Sequence, residues 1–223
     1  MTPPPDALRR GYSAAQLRAA EAPLLARGVP LMRQAAAALA AEARALLAER
    51  GGSRVLVLAG AGDNGGDALF AAAELAASAE VAIVRTGSRV HDEGLAAARS
   101  AGAHEAPASD AADLAAHADL VLDGMLGIGA APPLRGVARE AALAILPVLV
   151  RDARPLVVAV DLPSGLSPDD GPADDAVLPA DVTVTFGAVK AGLLLGDGPR
   201  LAGRVVLVDL GLDLSDFEPV VTA

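Results

Sequence analysis

The chain has 223 residues, 53% hydrophobic and 21% charged, enough to bury one sizeable core and too apolar for a disordered chain. Its formal charge of −10 argues against nucleic acid or an anionic membrane as partner, since both demand a basic face. Without cysteine there is no disulfide, iron–sulfur cluster or thiolate zinc, and His91, His104 and His117 lack metal-ligand spacing and read as ordinary surface residues.

Residues 1–12 read as a loose end with no basic-then-apolar leader. The longest apolar stretch, 141–150, falls short of the roughly 20 residues of a spanning helix, so a cytoplasmic protein is expected. Residues 13–50 are rich in Ala and Leu with interspersed Arg and Glu. They predict two helices broken at Gly28-Val29-Pro30, with Ser13 as N-cap, forming an N-terminal helical extension. The pattern then alternates. Short runs at 55–58, 81–84, 120–122, 156–160, 182–186 and 205–208 are apolar on both faces. Helices are predicted between them at 67–77, around 93–100, and at 135–150, where Pro147 ends or kinks the last. Such alternation calls for a parallel sheet covered on both sides. The fold class is therefore α/β: a three-layer αβα sandwich with a Rossmann-like, mostly parallel sheet over 54–212, the whole of 1–223 forming one domain.

Ligands of such folds sit at the carboxyl ends of the strands, and the chain's unusual residues fall there. The first strand runs into Gly60-Ala61-Gly62-Asp63-Asn64-Gly65-Gly66-Asp67, the third into Asp123-Gly124-Met125-Leu126-Gly127-Ile128-Gly129, and the fourth into Asp161-Leu162-Pro163-Ser164-Gly165. The fifth gives way to Gly187-Ala188-Val189-Lys190-Ala191-Gly192. The first loop matches the dinucleotide fingerprint G-x-G-x-x-G, yet Asp63 and Asp67 would face a phosphate, and the second strand ends in Arg85 and Thr86 instead of an acid. Arg85 is compatible with a 2′-phosphate. The other reading is a glycine turn with Asp67 stabilising a helix dipole. Asp123 and Asp161 each read as a loop anchor when taken alone. Beside Asn64 and Ser164 they form an oxygen-only set suited to a hard cation, and so few full charges favour a monovalent one. Lys190 is the only lysine against 17 arginines, which points to a position where guanidinium does not serve. The acidic stretch 167–175 reads as a solvated turn more than a mobile flap.

Together these loops resemble the YjeF N-terminal domain family, whose enzymatic members are NAD(P)H-hydrate epimerases. The resemblance runs from about Tyr12 to Leu212. It rests on Gly60 to Asp67 (similar to GPGNNGGDG), Asp123 to Gly129 (DxxxGxG), Asp161 to Gly165 (DxPSG) and ADVTVTFGAVKAG from Ala180 to Gly192, with Ser13-Ala14-Ala15-Gln16 and Gly28-Val29-Pro30-Leu31-Met32 ahead of them. The family departs from this chain at Asp63, where it has Asn, at Ala68, where it has Gly, and along Gly129-Ala130-Ala131-Pro132-Pro133. The resemblance implies that the chain interconverts the R and S epimers at C6 of hydrated NADH and NADPH. It implies a potassium ion held by Asn64, Asp123 and Ser164. The substrate would be held by Asp63, Asn64, Gly65, Gly66 and Asp67, by Gly127, Ile128, Gly129, Ala130, Ala131, Pro132 and Pro133, and by Asp161. Asp161 is expected to act as general acid/base, with Lys190 polarising the hydroxyl or carboxamide. A homodimer, and functional coupling to a separate ADP- or ATP-dependent hydrate dehydratase, are the expected partners. Another reading of the same fold is a non-catalytic nucleotide-sensing or protein-interaction module. A third, an NAD(P)-dependent dehydrogenase, lacks a Tyr-x-x-x-Lys pair.

Overall fold

A computed structural model describes residues 6–129 and 133–223. Strand β1 (Arg10–Tyr12) leads into helix α1 (Ala14–Ala26). Ser13 caps that helix as expected: its hydroxyl accepts from the Gln16 N–H, while the Gln16 amide oxygen accepts from the Ser13 N–H. Gly28, at φ +75°, and Pro30 separate α1 from α2 (Leu31–Arg50). The rest of the chain runs β2 (Arg54–Ala59), α3 (Asp63–Leu75), β3 (Glu80–Arg85), α4 (Asp92–Ser100), β4 (His104–Ala106), α5 (Ala111–His117), β5 (Leu120–Gly124) and α6 (Gly136–Ile145). It continues with β6 (Leu156–Val160), β7 (Val182–Phe186), β8 (Val189–Lys190), α7 (Ala191–Leu194), α8 (Gly198–Leu201), β9 (Arg204–Val208) and β10 (Val221–Thr222).

Among the described residues, seven strands form one parallel sheet in the order β4-β3-β2-β5-β6-β7-β9. Alternate residues of each strand point to opposite faces. Val55, Val57, Ile83, Leu122 and Val160 face α2, α3 and α4, whereas Leu56, Leu58, Val84, Val121 and Val157 face α5 and α6. Both faces being dry, the central strands read as continuous apolar runs. The three-layer sandwich is thus as the sequence predicts, and no helix among the described residues is long and apolar enough to cross a membrane.

Four features differ from the sequence reading. Helix α2 is no extension: Ala35, Ala36, Leu39, Ala40 and Ala43 are buried in the sheet's main core, the small alanine side chains bringing the helix close. Helix α3 starts at Asp63, four residues before the predicted start, with Gly65 and Gly66 inside it. Residues 10–12 are ordered, because β1 pairs with β8 in parallel (Tyr12 opposite Lys190) and with β10 antiparallel (Arg10 opposite Thr222), making a second, three-stranded sheet. His91, finally, is not a plain surface residue. It caps α4 by accepting the Gly94 N–H at 3.1 Å and lies edge-on to Phe70.

Candidate functional site

Strands β3 and β5 flank β2 on opposite sides, so the chain crosses the sheet in opposite directions from this point, where an open α/β sheet leaves a crevice. The carboxyl ends of β2, β5, β6 and β7 border a cavity of about 790 Å³ there, lined also by α1 and the start of α2.

The glycines of the first loop serve close packing. A Cβ on Gly60 would lie 1.8 Å from the Met125 carbonyl oxygen, and one on Gly65 would lie 2.1 Å from the Gly60 carbonyl oxygen. The start of α3 is thereby pressed against the ends of β2 and β5. Asp63, Asn64 and Asp67, spaced i, i+1 and i+4, share the face of α3 that lines the crevice. Gly65 and Gly66 do not line it; Gly66 packs on Met32 and His91. Asp63, not Asp67, is the acid of the helix's first turn, so the dipole role read for Asp67 belongs to Asp63. From the second loop Gly127, Ile128 and Gly129 line the cavity. Pro133 is exposed and not among the lining residues, and Ala130, Ala131 and Pro132 lie outside the described residues.

Asn64 and Ser164 converge on Leu126, and Asp123 is joined to them through the Ser164 N–H. The Asn64 amide donates to the Leu126 carbonyl at 2.8 Å; the Ser164 hydroxyl donates to the same carbonyl at 3.2 Å and accepts the Leu126 N–H at 2.9 Å. Asp123, 0% exposed, accepts the N–H groups of Ser164 at 2.9 Å and Met125 at 3.3 Å. Burial raises its pKa against those hydrogen bonds, and no cationic side chain contributes to offset it. One uncompensated carboxylate among amide, hydroxyl and carbonyl oxygens is a donor set that fits a hard monovalent cation.

Asp161 stands at φ +70°, alone among the described non-glycine residues on the left-handed side. The Leu162 N–H bonds the Val160 carbonyl at 2.9 Å across it, a three-residue γ-turn, and the Asp161 N–H bonds the Val184 carbonyl at 2.8 Å. Its Oδ1 accepts from the Lys190 ammonium, from the Phe186 N–H at 3.2 Å and from the Thr185 hydroxyl at 3.4 Å. Lys190 Nζ donates also to the Thr185 hydroxyl at 3.2 Å and to the Phe186 carbonyl at 2.8 Å, which uses its three N–H groups. Lys190 is 2% exposed and Asp161 7%. With Oδ1 engaged, Oδ2 is the oxygen left to the crevice. All three N–H groups of the ammonium are thus directed at oxygens of the protein itself.

Residues that the sequence reading passed over complete the site. Thr185, fully buried in β7, joins the Asp161–Lys190 pair; the two threonines, Thr183 and Thr185, alternating with apolar residues in a buried strand were the available signal. On α1, Glu21 lines the crevice and its pKa is raised, first by burial and then by Asp161 and Asp63, against Lys190. Arg18, one turn earlier, donates to the Ile128 carbonyl at 2.6 Å and ties α1 to the second loop. Their spacing is that of any charged helix face, and nothing in it marks a site. Arg85 pairs with Glu105 at 3.6 Å and does not line the crevice. Residues 167–175 form an anchored turn: Asp169 accepts the Ala14 N–H at 2.6 Å, and Asp174 accepts the Leu134 N–H at 2.8 Å.

The chain is 54% identical to a protein of Clavibacter michiganensis subsp. michiganensis named NAD(P)H-hydrate epimerase, the alignment covering 98% of each. It is 59% identical to one of the same name from Microbacterium testaceum, over 95% of this chain and 83% of that one. A bifunctional NAD(P)H-hydrate repair enzyme Nnr of Mycobacterium tuberculosis is 42% identical over 93% of this chain, which spans 43% of that protein. The crystal structure of the yeast protein ynu0, YNL200c, superimposes with a TM-score of 0.72 at 18% identity, covering 89% of this chain and 87% of the yeast one, and shows the same fold. Residues 28–192 match the family model described as YjeF-related protein N-terminus, and the chain belongs to that family.

Proposed function

We infer that this chain is an NAD(P)H-hydrate epimerase, an isomerase that interconverts the R and S forms of hydrated NADH or NADPH at C6 of the nicotinamide ring in metabolite repair. One observation carries the reading beyond likeness to its relatives: a carboxylate held at a left-handed turn by a buried lysine, with one oxygen free at the switch-point crevice. C6 of the hydrate bears both a hydroxyl and the ring nitrogen, so nitrogen lone-pair donation can release the oxygen once a proton is supplied. Asp161 is the group that supplies or takes it. Lys190 provides counter-charge and fixes the Asp161 rotamer, so that Oδ2 meets the substrate without reorganisation. Asp63, Asn64 and Asp67 of α3 and Gly127 to Gly129 border the space the hydrated ring would occupy.

Two finer parts accompany this reading. A potassium ion held by Asn64, Asp123 and Ser164 would neutralise Asp123 and brace the loop at Leu126 against α3; the donor chemistry described above supports it. The chain would act in the cytoplasm as a homodimer, handing the S form to a separate ADP- or ATP-dependent dehydratase. The test is a coupled assay with the pure R epimer and an S-specific dehydratase, run in potassium and in a non-binding cation. Fast, potassium-dependent loss of the R form is expected. Decay at the spontaneous rate, from protein that still binds nucleotide, would overturn the epimerase reading in favour of a binding module.

A further inference from the structure

A second carboxyl, which the reading above uses only as part of the crevice wall, has no proton role there. Asp67 is 8% exposed and lines the same cavity as Asp161. No hydrogen bond from the described residues reaches its carboxyl, and only charges at longer range act on it. The contrast with Asp161, whose Oδ1 receives three donors, is one of supply. The crevice holds the chain's single lysine, and the three N–H groups of that lysine are spent around Asp161. The groups that face Asp67 are Asp161 from the end of β6, Asp63 from its own helix, Glu21 from α1, and Lys190, so three carboxylates oppose one cation already paired. An isolated carboxylate in such a place costs several kcal/mol, and a proton is the cheaper remedy. Burial first, then Asp161 and Asp63, push the Asp67 carboxyl well above the usual carboxylate range.

We propose that Asp67 stands in the crevice as a neutral carboxylic acid and is the second proton-carrying group of the reaction, working against the Asp161 carboxylate. The proposal rests on the epimerase reading. Two carboxyls in one site held in opposite protonation states are the arrangement that acid and base roles require. The Asp67 O–H gives its proton to the C6 hydroxyl oxygen. The C6–O bond breaks, its electron pair leaving with the oxygen as water, while the N1 lone pair forms a C6=N1 double bond. Water then adds to the opposite face of C6, Asp161 takes the proton that it sheds, and the C=N pair returns to N1. One proton has moved from Asp67 to Asp161 and returns through solvent, with no oxidant or reductant needed.

The experiment joins infrared difference spectroscopy of the protein across pH with steady-state kinetics of wild type and Asp67→Asn. A protonated-carboxyl band at pH 7 that is present in wild type and missing from Asp67→Asn is expected. So is a kcat lowered about 100- to 10,000-fold with KM little changed, and loss of the alkaline limb of the wild-type kcat/KM profile. Asn keeps the shape and a donor, so a role confined to binding would raise KM and spare kcat. A wild-type spectrum with no such band at pH 7 overturns the proposal whatever the activity, and needs no folded variant. A band without any epimerase turnover in wild type overturns the epimerase reading and with it the catalytic half of the proposal. An Asp67→Asn variant with wild-type kcat overturns that half alone.

Discussion

The Asp161–Lys190 pair is the feature on which fold and chemistry both depend, and a double-mutant cycle measures it. The Lys190 side chain is 3% exposed and the Asp161 side chain 11%, so Lys190→Met leaves a largely buried unpaired carboxylate and Asp161→Asn a buried unpaired ammonium. Removing one partner of a buried pair costs about 3–5 kcal/mol. For a chain of 223 residues each kcal/mol moves Tm by about 2–4 °C, so each single variant is expected to melt about 6–20 °C below wild type. The double variant carries neither charge and should recover much of the loss, giving a coupling energy of about 2–3 kcal/mol. Asn tolerates the left-handed turn at position 161, so backbone strain stays out of the cycle. Urea unfolding of the four proteins reads the coupling, repeated at about 0.1 M and 1 M salt. Screening lengths fall from about 10 Å to 3 Å over that range, which weakens an exposed pair such as Arg44–Glu74 and leaves a buried one nearly unchanged. Additive losses, or a coupling that disappears in high salt, would refute the reasoning, because they would place the pair in water.

Gly65→Ala puts a methyl 2.1 Å from the Gly60 carbonyl oxygen, a backbone atom that cannot swing aside. It should cost about 3 kcal/mol or more, at the upper end of overpacking penalties, and thermal melting checks it. Asp181 accepts two bonds from Arg154, at 2.6 and 2.7 Å, and one from the Val157 N–H; against burial, these hold its pKa below the ordinary value. A depressed carboxylate stabilises the fold above its unfolded pKa of about 3.9, and that contribution is lost as pH falls through the folded value. Asp181→Asn should therefore lower Tm at pH 7 and converge with wild type in strong acid, as scanning calorimetry across pH will show. Gly11→Ala would set a Cβ 2.8 Å from the Ala191 Cα and 2.7 Å from Val221, forcing β1 off β8. Because misplacement by about 1 Å costs on the order of 100-fold in rate, the R-to-S assay should fall far more than Tm does.

Strands of the central sheet were legible because both their faces are dry, which leaves runs such as Val55 to Leu58 without a polar residue. Strand β4 pairs only with β3 at the sheet's edge, so its His104-Glu105-Ala106 carries no apolar run and escaped notice. The start of α3 was hidden by Gly65 and Gly66, poor helix formers kept there because no side chain fits between that helix and the Gly60 turn. The small sheet joins Gly11 to Val221, a pairing with no local signature. At the site, strand-end acids and the lone lysine could be named from the chain, but their bond could not, since it depends on the γ-turn that swings Asp161 toward β7. The lysine's rarity has its physical reason in the contacts: an ammonium satisfies three oxygens clustered about one point, where a planar guanidinium could not.

The parts of the chain outside the seven-stranded sheet explain why a common sheet becomes a particular site. Strand β1 pairs with the β8 strand that carries Lys190, while Val220 and Ala223 bond back to Gly11 and Arg9 and hold β1 in place. Helix α1 carries Glu21 and Arg18 to the crevice and is itself fixed at its start by Ser13 and Asp169, and by a Gln16 side chain bonded to the Glu218 carbonyl. None of these contacts belongs to the large core clusters that α2 to α6 bury against the sheet. Two stability regimes follow: a core that melts cooperatively, and a peripheral frame that positions Lys190 among the crevice carboxylates. Substitutions in the frame should therefore change the charge geometry of the crevice, and with it the rate, well before they change the temperature at which the sheet unfolds.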